Sequence, residues 1–233
     1  MCGRIVQASP SELLALGLVI GEGLQAGAGQ PRFNGAPGQE LGVVRRHPQT
    51  GRYHLDRLLW GLVPFWLADP TGGRRPINAK AETVRTLPSF REAYARRRCL
   101  LPVDGFFEWQ QMGRGAKRPH AITMRDRAPF ALAGLWENWR HPETGTWIRT
   151  FCVLTSEANS LISAIHHRMP VIIPPRAYVR WLSGEADPAD LLASFPADAM
   201  ALWPVSTRVN SPANDDAALL DPAADAVVED RLL

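Results

Sequence analysis

At 233 residues, 45% apolar and 21% charged, the chain is long enough to bury one substantial core and has the make-up of a single soluble globular domain. No apolar run is long enough to cross a bilayer, and the opening MCGRIVQAS lacks the charged-then-apolar layout of a secretory signal, so the cytoplasm is the expected compartment. The formal net charge of +3 hides an asymmetry: Arg74, Arg75, Lys80, Arg85, Arg91, Arg96, Arg97 and Arg98 crowd one stretch while acidic residues gather in the tail, a pattern that suits either a solvated arginine-rich helix face or an anionic partner such as nucleic acid.

In chain order, Ser9-Pro10-Ser11-Glu12 followed by LLALGL reads as a short capped helix. The Gly/Ala-rich run from Gly21 to Gly38 reads as a loop that ends in RFNGAPGQ. Apolar, β-prone segments then recur as LGVVRR, YHLDRLLWGLVPFW, CLLPVDGFFEW, HAITM, FALAGLW, WIRTFCVLT and MPVIIP, separated by Gly, Pro and Asn breakers. Helical patterning falls at SFREAYARR, AYVRWLSG and PADLLASF. The expectation is an α+β fold, with a β-rich, mostly antiparallel, barrel-like core and peripheral helices. One domain over residues 1–222 is expected, with a mobile tail over 223–233.

Of three cysteines, Cys99 and Cys152 lie in apolar runs and read as core, and no C-x-x-C pair suggests a metal site. Cys2 differs. Removal of Met1 would leave it with a free α-amine beside its thiol, and Gly3 permits close backbone approach. An α-amine titrates near about 7.7–8.0, against about 10.4 for lysine, so near neutrality it is on the order of a hundredfold richer in the nucleophilic form. Such an aminothiol condenses with an aldehyde to an imine, and the thiol then closes on the imine carbon to give a thiazolidine.

Read with later segments, Cys2-Gly3-Arg4 gains weight. RFNGAPGQ (32–39), WGLVPFW (60–66), INAKAET (77–83), LPVDGFFEW (101–109), IHHRMPV (165–171) and PVSTRVN (204–210) follow in that order. Together they resemble the SOS-response-associated peptidase (SRAP) family from Cys2 to about Asp216. The resemblance implies a β-rich α+β domain with a positively charged DNA groove, self-removal of Met1, and covalent cross-linking to abasic sites in single-stranded DNA. No metal or organic cofactor is implied, and nothing demands more than a monomer.

Carried over by motif, Cys2 is the attachment point and Asn78 holds its amine or thiol. Glu108, flanked by Phe106, Phe107 and Trp109, is the candidate acid–base, because apolar neighbours desolvate a carboxyl. His166 stabilises the imine-forming oxygen and shuttles protons; His167 is expected to point away. Gly3 and Arg4 beside the nucleophile, and Arg168 beside the histidine, are candidate DNA contacts, with Lys80, Arg85 and the Arg96–Arg98 run extending the track. Trp66 and Pro37 are candidates to stack on or wedge between bases, with core packing the alternative for Trp66. Thr155 is a candidate phosphate contact. Three features depart from the family pattern: Lys80 stands where arginine is common, Gly35 and Gly38 are small, and the 113–117 loop has no assignable role.

Three other functions compete. One is proteolysis of other proteins by Cys2 with His166 and Glu108, ranked below DNA capture because only self-cleavage of one bond is needed to expose the amine. Class II glutamine amidotransferases also begin Met-Cys-Gly, which makes an N-terminal cysteine amidohydrolase the main rival. A noncatalytic single-strand-binding module would use the basic residues and aromatics alone, and its binding would survive loss of Cys2.

Overall fold

The computed structural model describes residues 2–9, 31–68, 75–184 and 187–224. The helix expected to begin at Ser9 falls almost wholly outside them, as do residues 225–233. Thirteen strands are described: β1 Ile5–Gln7, β2 Arg32–Gly35, β3 Glu40–Arg46, β4 Tyr53–Trp60, β5 Asn78–Lys80, β6 Arg98–Val103, β7 Gly105–Gln111, β8 Lys117–Met124, β9 Phe130–Arg140, β10 Trp147–Glu157, β11 Arg168–Pro170, β12 Ile172–Ile173 and β13 Met200–Pro204. Three short helices accompany them: α1 Arg91–Arg96, α2 Ser160–Ser163 and α3 Tyr178–Leu182. None of the described helices is long and apolar enough to span a membrane.

Five strands close a ring. β10 pairs with β4, β4 with β3, β3 with β6, β6 with β9, and β9 returns to β10. Only the β4–β10 contact in this ring is parallel. A closed barrel leaves no free edge among its own strands and forces side chains to alternate between its inside and its outside. Leu41, Val43, Leu58, Trp60, Cys99, Leu101, Leu132, Phe151 and Val153 share one cluster. Val44, Leu55, Leu100, Ala133, Leu135 and Cys152 pack instead with Tyr94, Tyr178 and Trp181 of the helices. Helices cannot fit inside five strands, so the first set fills the barrel and the second is its covered outer wall. This explains why β6 and the middle of β10 are buried on both faces and read as continuous apolar runs.

The interior is tight at Gly134. A Cβ there would lie 2.5 Å from Leu101 Cδ1 and 2.9 Å from Cys99 Sγ, so only glycine fits. A second sheet, in the order β13–β8–β7–β1–β2, is antiparallel throughout and packs Ile5, Phe106, Ile122 and Met200 onto the barrel contents.

Several local expectations change. RFNG is strand β2 and not part of a loop, pairing Gly35 with Ile5. YHLDRLLWGLVPFW does not run on as one strand, because Gly61, at φ +135°, turns the chain out of β4. That turn carries Phe65 and Trp66 to the surface, each about half exposed. PADLLASF forms only a 3-10 turn at Ala189–Leu192. At the C-terminal end Pro222 bridges to Val205, and Ala223 N–H donates to Pro204 O.

Candidate active site

The segment ahead of β1 runs beside β7, where Phe107 N–H donates to Arg4 O. This brings Cys2 to the junction of the second sheet and the barrel, in the cluster that holds Trp60 and Phe106. Cys2 is fully buried. Burial, with the Glu108 carboxylate second, pushes its thiol far above the ordinary cysteine value, so the sulfur is a neutral thiol at pH 7.

Asn78 opens β5, which lies parallel to β10 with Asn78 opposite Val153. Its Nδ2 donates to the main-chain carbonyl of Cys2 at 2.9 Å. Its Oδ1 is buried and has no donor among the described residues. A buried amide oxygen left unpaired costs roughly 1–3 kcal/mol, so it marks a place where a donor is wanted.

Glu108 lies in β7, buried and directly across from His120 in β8. Its Oε1 accepts from Trp109 N–H at 3.2 Å. The burial expected from the flanking aromatics is therefore present.

His166 follows α2, whose N-terminus is capped by Asn159 Oδ1 accepting from Ile162 N–H. The His166 amide donates back to Ile162 O. Its Nδ1 lies 2.9 Å from Arg168 N–H, from which it accepts in one tautomer, and 3.1 Å from Arg168 O, to which it donates in the other. Burial lowers the imidazole pKa from its ordinary value, against an upward pull from Glu108. Glu108 thus acts electrostatically on both the Cys2 thiol and the His166 ring. Glu108, His166, Lys80, Arg168, Trp109 and Asn210 line one groove of about 1160 Å³, with Cys2 behind its wall.

A family model described as SOS response associated peptidase (SRAP) matches residues 1–212. The chain belongs to the SRAP family. It is 36% identical to the abasic site processing protein YoqW of Bacillus subtilis (strain 168), over 95% of this chain and 99% of that one. It is 30% identical to the abasic site processing protein YedK of Escherichia coli (strain K12), over 95% of this chain and 100% of the relative. A crystal structure of a Bacteroides thetaiotaomicron protein superposes with a TM-score of 0.81 at 25% identity, over 96% of this chain and all of that one.

Around the groove of this SRAP domain, the expected DNA contacts are sorted by burial. Gly3 is partly buried beside Cys2, and Lys80 is exposed on the groove wall. Arg4 Nε donates to Asn34 Oδ1 at 2.9 Å, and its NH2 group donates to Asn210 O at 2.8 Å. The guanidinium also lies 5.9 Å from the centroid of the Trp109 ring.

Arg168 is buried and forms a two-pronged pair with Glu82, at 2.7 and 2.9 Å, and it also donates to Thr155 O. These contacts occupy its two terminal nitrogens, while its Nε is buried without an acceptor among the described residues. Thr155 is itself buried, with its hydroxyl turned to Ala79 O.

Other expected contacts lie away from the groove lining. Arg85 pairs with Asp187 at 2.9 Å. Pro37 sits half-buried in the turn where Gly38 N–H donates to Trp60 O, and Trp66 stands exposed, which removes the core-packing alternative for it. The Arg96–Arg98 run does not form one track. Arg96 is exposed, Arg97 pairs with Glu137, and buried Arg98 donates to the carbonyls of Trp181, Tyr94 and Ser183.

The small residues also have structural reasons. Gly35 faces Leu41 and Ile5, so it belongs to the core and not to a DNA-facing loop. Gly113–Gly115 is a single 3-10 turn between β7 and β8.

His167 does not point away. Its ring stacks on His166 at 4.5 Å between centroids and lines the same groove.

Sequence reasoning missed Asn34. Fully buried, it accepts from Arg4 and donates to the carbonyls of Val209, Ser211 and Asn214. That network fixes Asn210, whose Oδ1 accepts from Trp109 Nε1 at 2.8 Å. The available signal was an Asn inside a strand, a residue type that sheets disfavour unless its amide is in use.

Proposed function

We propose that this protein captures abasic sites in single-stranded DNA through Cys2, once hydrolysis of the Met1–Cys2 peptide bond has exposed its amine. The observation that carries the reading is the Asn78 amide. Its Nδ2 holds the Cys2 carbonyl, and its unpaired Oδ1 supplies the acceptor that a newly freed Cys2 amine needs. The abasic-site names of the relatives support the substrate class.

The Cys2 amine attacks the aldehyde carbon of the ring-opened sugar to give a carbinolamine. Loss of water then leaves an imine. A ring N–H of His166 donates to the departing oxygen, and Glu108 takes and returns protons between amine, oxygen and thiol. The thiol finally adds across the C=N bond, forming a C–S bond and delivering its proton to nitrogen, with no net redox change. As the sulfur attacks it must give up its proton, and Glu108, whose charge acts on the thiol, is the base at hand.

Arg4 and Lys80 hold phosphates beside the lesion, and Trp66 with Pro37 meets unpaired bases, which favours a single strand. Loss of the imine by β-elimination would appear as weak lyase activity. The protein acts as a monomer in the cytoplasm, on the nucleoid when DNA is damaged.

Mass spectrometry of the protein mixed with single-stranded DNA carrying one abasic site, without borohydride, tests the reading. An adduct on Cys2 with intact DNA, absent in Cys2→Ala, is the expected result. No adduct from protein verified to lack Met1 would overturn it.

A further inference from the structure

A second cationic cavity lies at the other end of the barrel. It holds about 700 Å³ between the β3–β4 hairpin, the end of α1 and the end of α3. Arg46, Arg96, Arg97 and Arg98 line it, and no Asp or Glu does among the described residues. Nearby carboxylates are already engaged: Glu137 with Arg97, Glu92 with Arg96, and Asp56 with Arg45. Arg46 has no carboxylate partner among the described residues and donates only to Gly51 O at 3.2 Å.

Two further atoms mark this as a built site. Asn138 lines the cavity, and its Oδ1 is buried without a donor among the described residues. Arg97 Nε is likewise buried without an acceptor. One missing acceptor and one missing donor, in a cavity that Arg46 also lines, call for a ligand that carries both an anion and an N–H or O–H group.

Its distance from the groove follows from β10. Asn138 pairs with Arg149, and six residues further along the strand Thr155 reaches the groove. At about 3.3 Å per residue the two openings are about 20 Å apart, roughly six base steps of a duplex.

We propose that this cavity is a second phosphate site, taking a nucleotide phosphate on Arg46 and on the unpaired Nε of Arg97, whose terminal nitrogen stays with Glu137, and a donor of the same nucleotide on Asn138. The nucleotide is supplied either by a nucleic acid strand that also occupies the groove or by a free mononucleotide. The site is independent of the cross-linking chemistry.

The test uses the full chain and undamaged DNA, which has no aldehyde, so failure here is distinct from failure of the capture mechanism. Anisotropy of a labelled 15-nucleotide single strand is measured at several salt concentrations for the wild type, Arg46→Glu and Asn138→Leu. In parallel, the Asn138 side-chain amide is followed by NMR during titration with dAMP and with inorganic phosphate.

Strand binding weakened about tenfold by either variant at fixed salt, with the salt slope reduced by about one for Arg46→Glu, supports the site with a polymer ligand. A saturable Asn138 shift with dAMP, lost in Arg46→Glu, supports it with a free nucleotide. Weakening by Arg46→Glu alone, with Asn138→Leu folded and binding like the wild type, would reveal only diffuse electrostatic attraction and overturn the proposal. So would the absence of any change in all arms.

Discussion

The Nδ2 group of Asn78 donates to the main-chain carbonyl of Cys2 across 2.9 Å, tying the first residue of β5 to a residue three positions ahead of β1. Two segments far apart in sequence are thereby locked at the point where the proposed nucleophile must face the groove. Asn78→Ala is expected to slow adduct formation by roughly 10- to 100-fold, since a misplacement of about 1 Å is enough for losses of that order. Single-turnover gel assays read the rate, and thermal melting checks the fold. A variant as fast as the wild type would remove Asn78 from the mechanism.

The stacked rings of His166 and His167 give a pH prediction. Burial lowers the His166 value first, Glu108 opposes it, and His167 adds a smaller downward push. The ring is therefore neutral at pH 7, and it gains a proton only as pH falls through that lowered value. Protonation puts a hydrogen on Nδ1, which then donates to Arg168 O at 3.1 Å and no longer accepts from Arg168 N–H. In His167→Gln the downward push is gone, and the acid limb of the rate profile should move to higher pH. Rates measured from pH 5 to 8 at low salt check this; an unmoved limb would mean that His166 does not set it.

Arg168 and Glu82 link the site to stability. The Arg168 hydrogen bond is the main reason the Glu82 carboxyl titrates below its ordinary value. A carboxyl lowered in the folded state contributes stability above its unfolded value and loses that contribution as pH falls through the folded one. Arg168→Ala should therefore cost about 1–3 kcal/mol at pH 7 through its lost charged hydrogen bonds, and should flatten the acid side of the stability curve. Urea unfolding at pH 7 and near pH 3.5 measures both. If Arg168 served mainly as a phosphate clamp, the variant would keep its stability and lose only DNA affinity.

Gly134 has no space for a methyl group, with Leu101 and Cys99 fully buried against it. Gly134→Ala should destabilise the barrel by about 1–3 kcal/mol, the usual cost of overpacking a filled core. Denaturant midpoints would show it, and a neutral outcome would mean that the barrel has slack the geometry does not suggest.

Part of this protein was legible in its sequence. The apolar runs that became β3, β4, β6, β9 and β10 announced themselves because each is buried on both faces or alternates cleanly, and burial is a property of composition. The ordered motifs identified the family and singled out Cys2, Asn78, Glu108 and His166. Short strands such as β1, β5 and β13 stayed hidden, since three to five residues hold too little of a period to recognise.

Only the tertiary structure decided which charges are free. Arg168, Arg98 and Arg97 look alike in sequence to Lys80 and Arg46, yet the first three are held by Glu82, by three carbonyls and by Glu137. Closing the barrel sets which arginines meet a partner, and a hydrogen bond between residues some 80 apart leaves no local trace. The sequence by itself pointed to the candidate site residues and to the longer strands of the barrel. The fold determined that the Asn78 amide holds the Cys2 carbonyl and that Glu108 lies where its charge acts on both Cys2 and His166, because such meetings are a matter of distance and distance is set by packing.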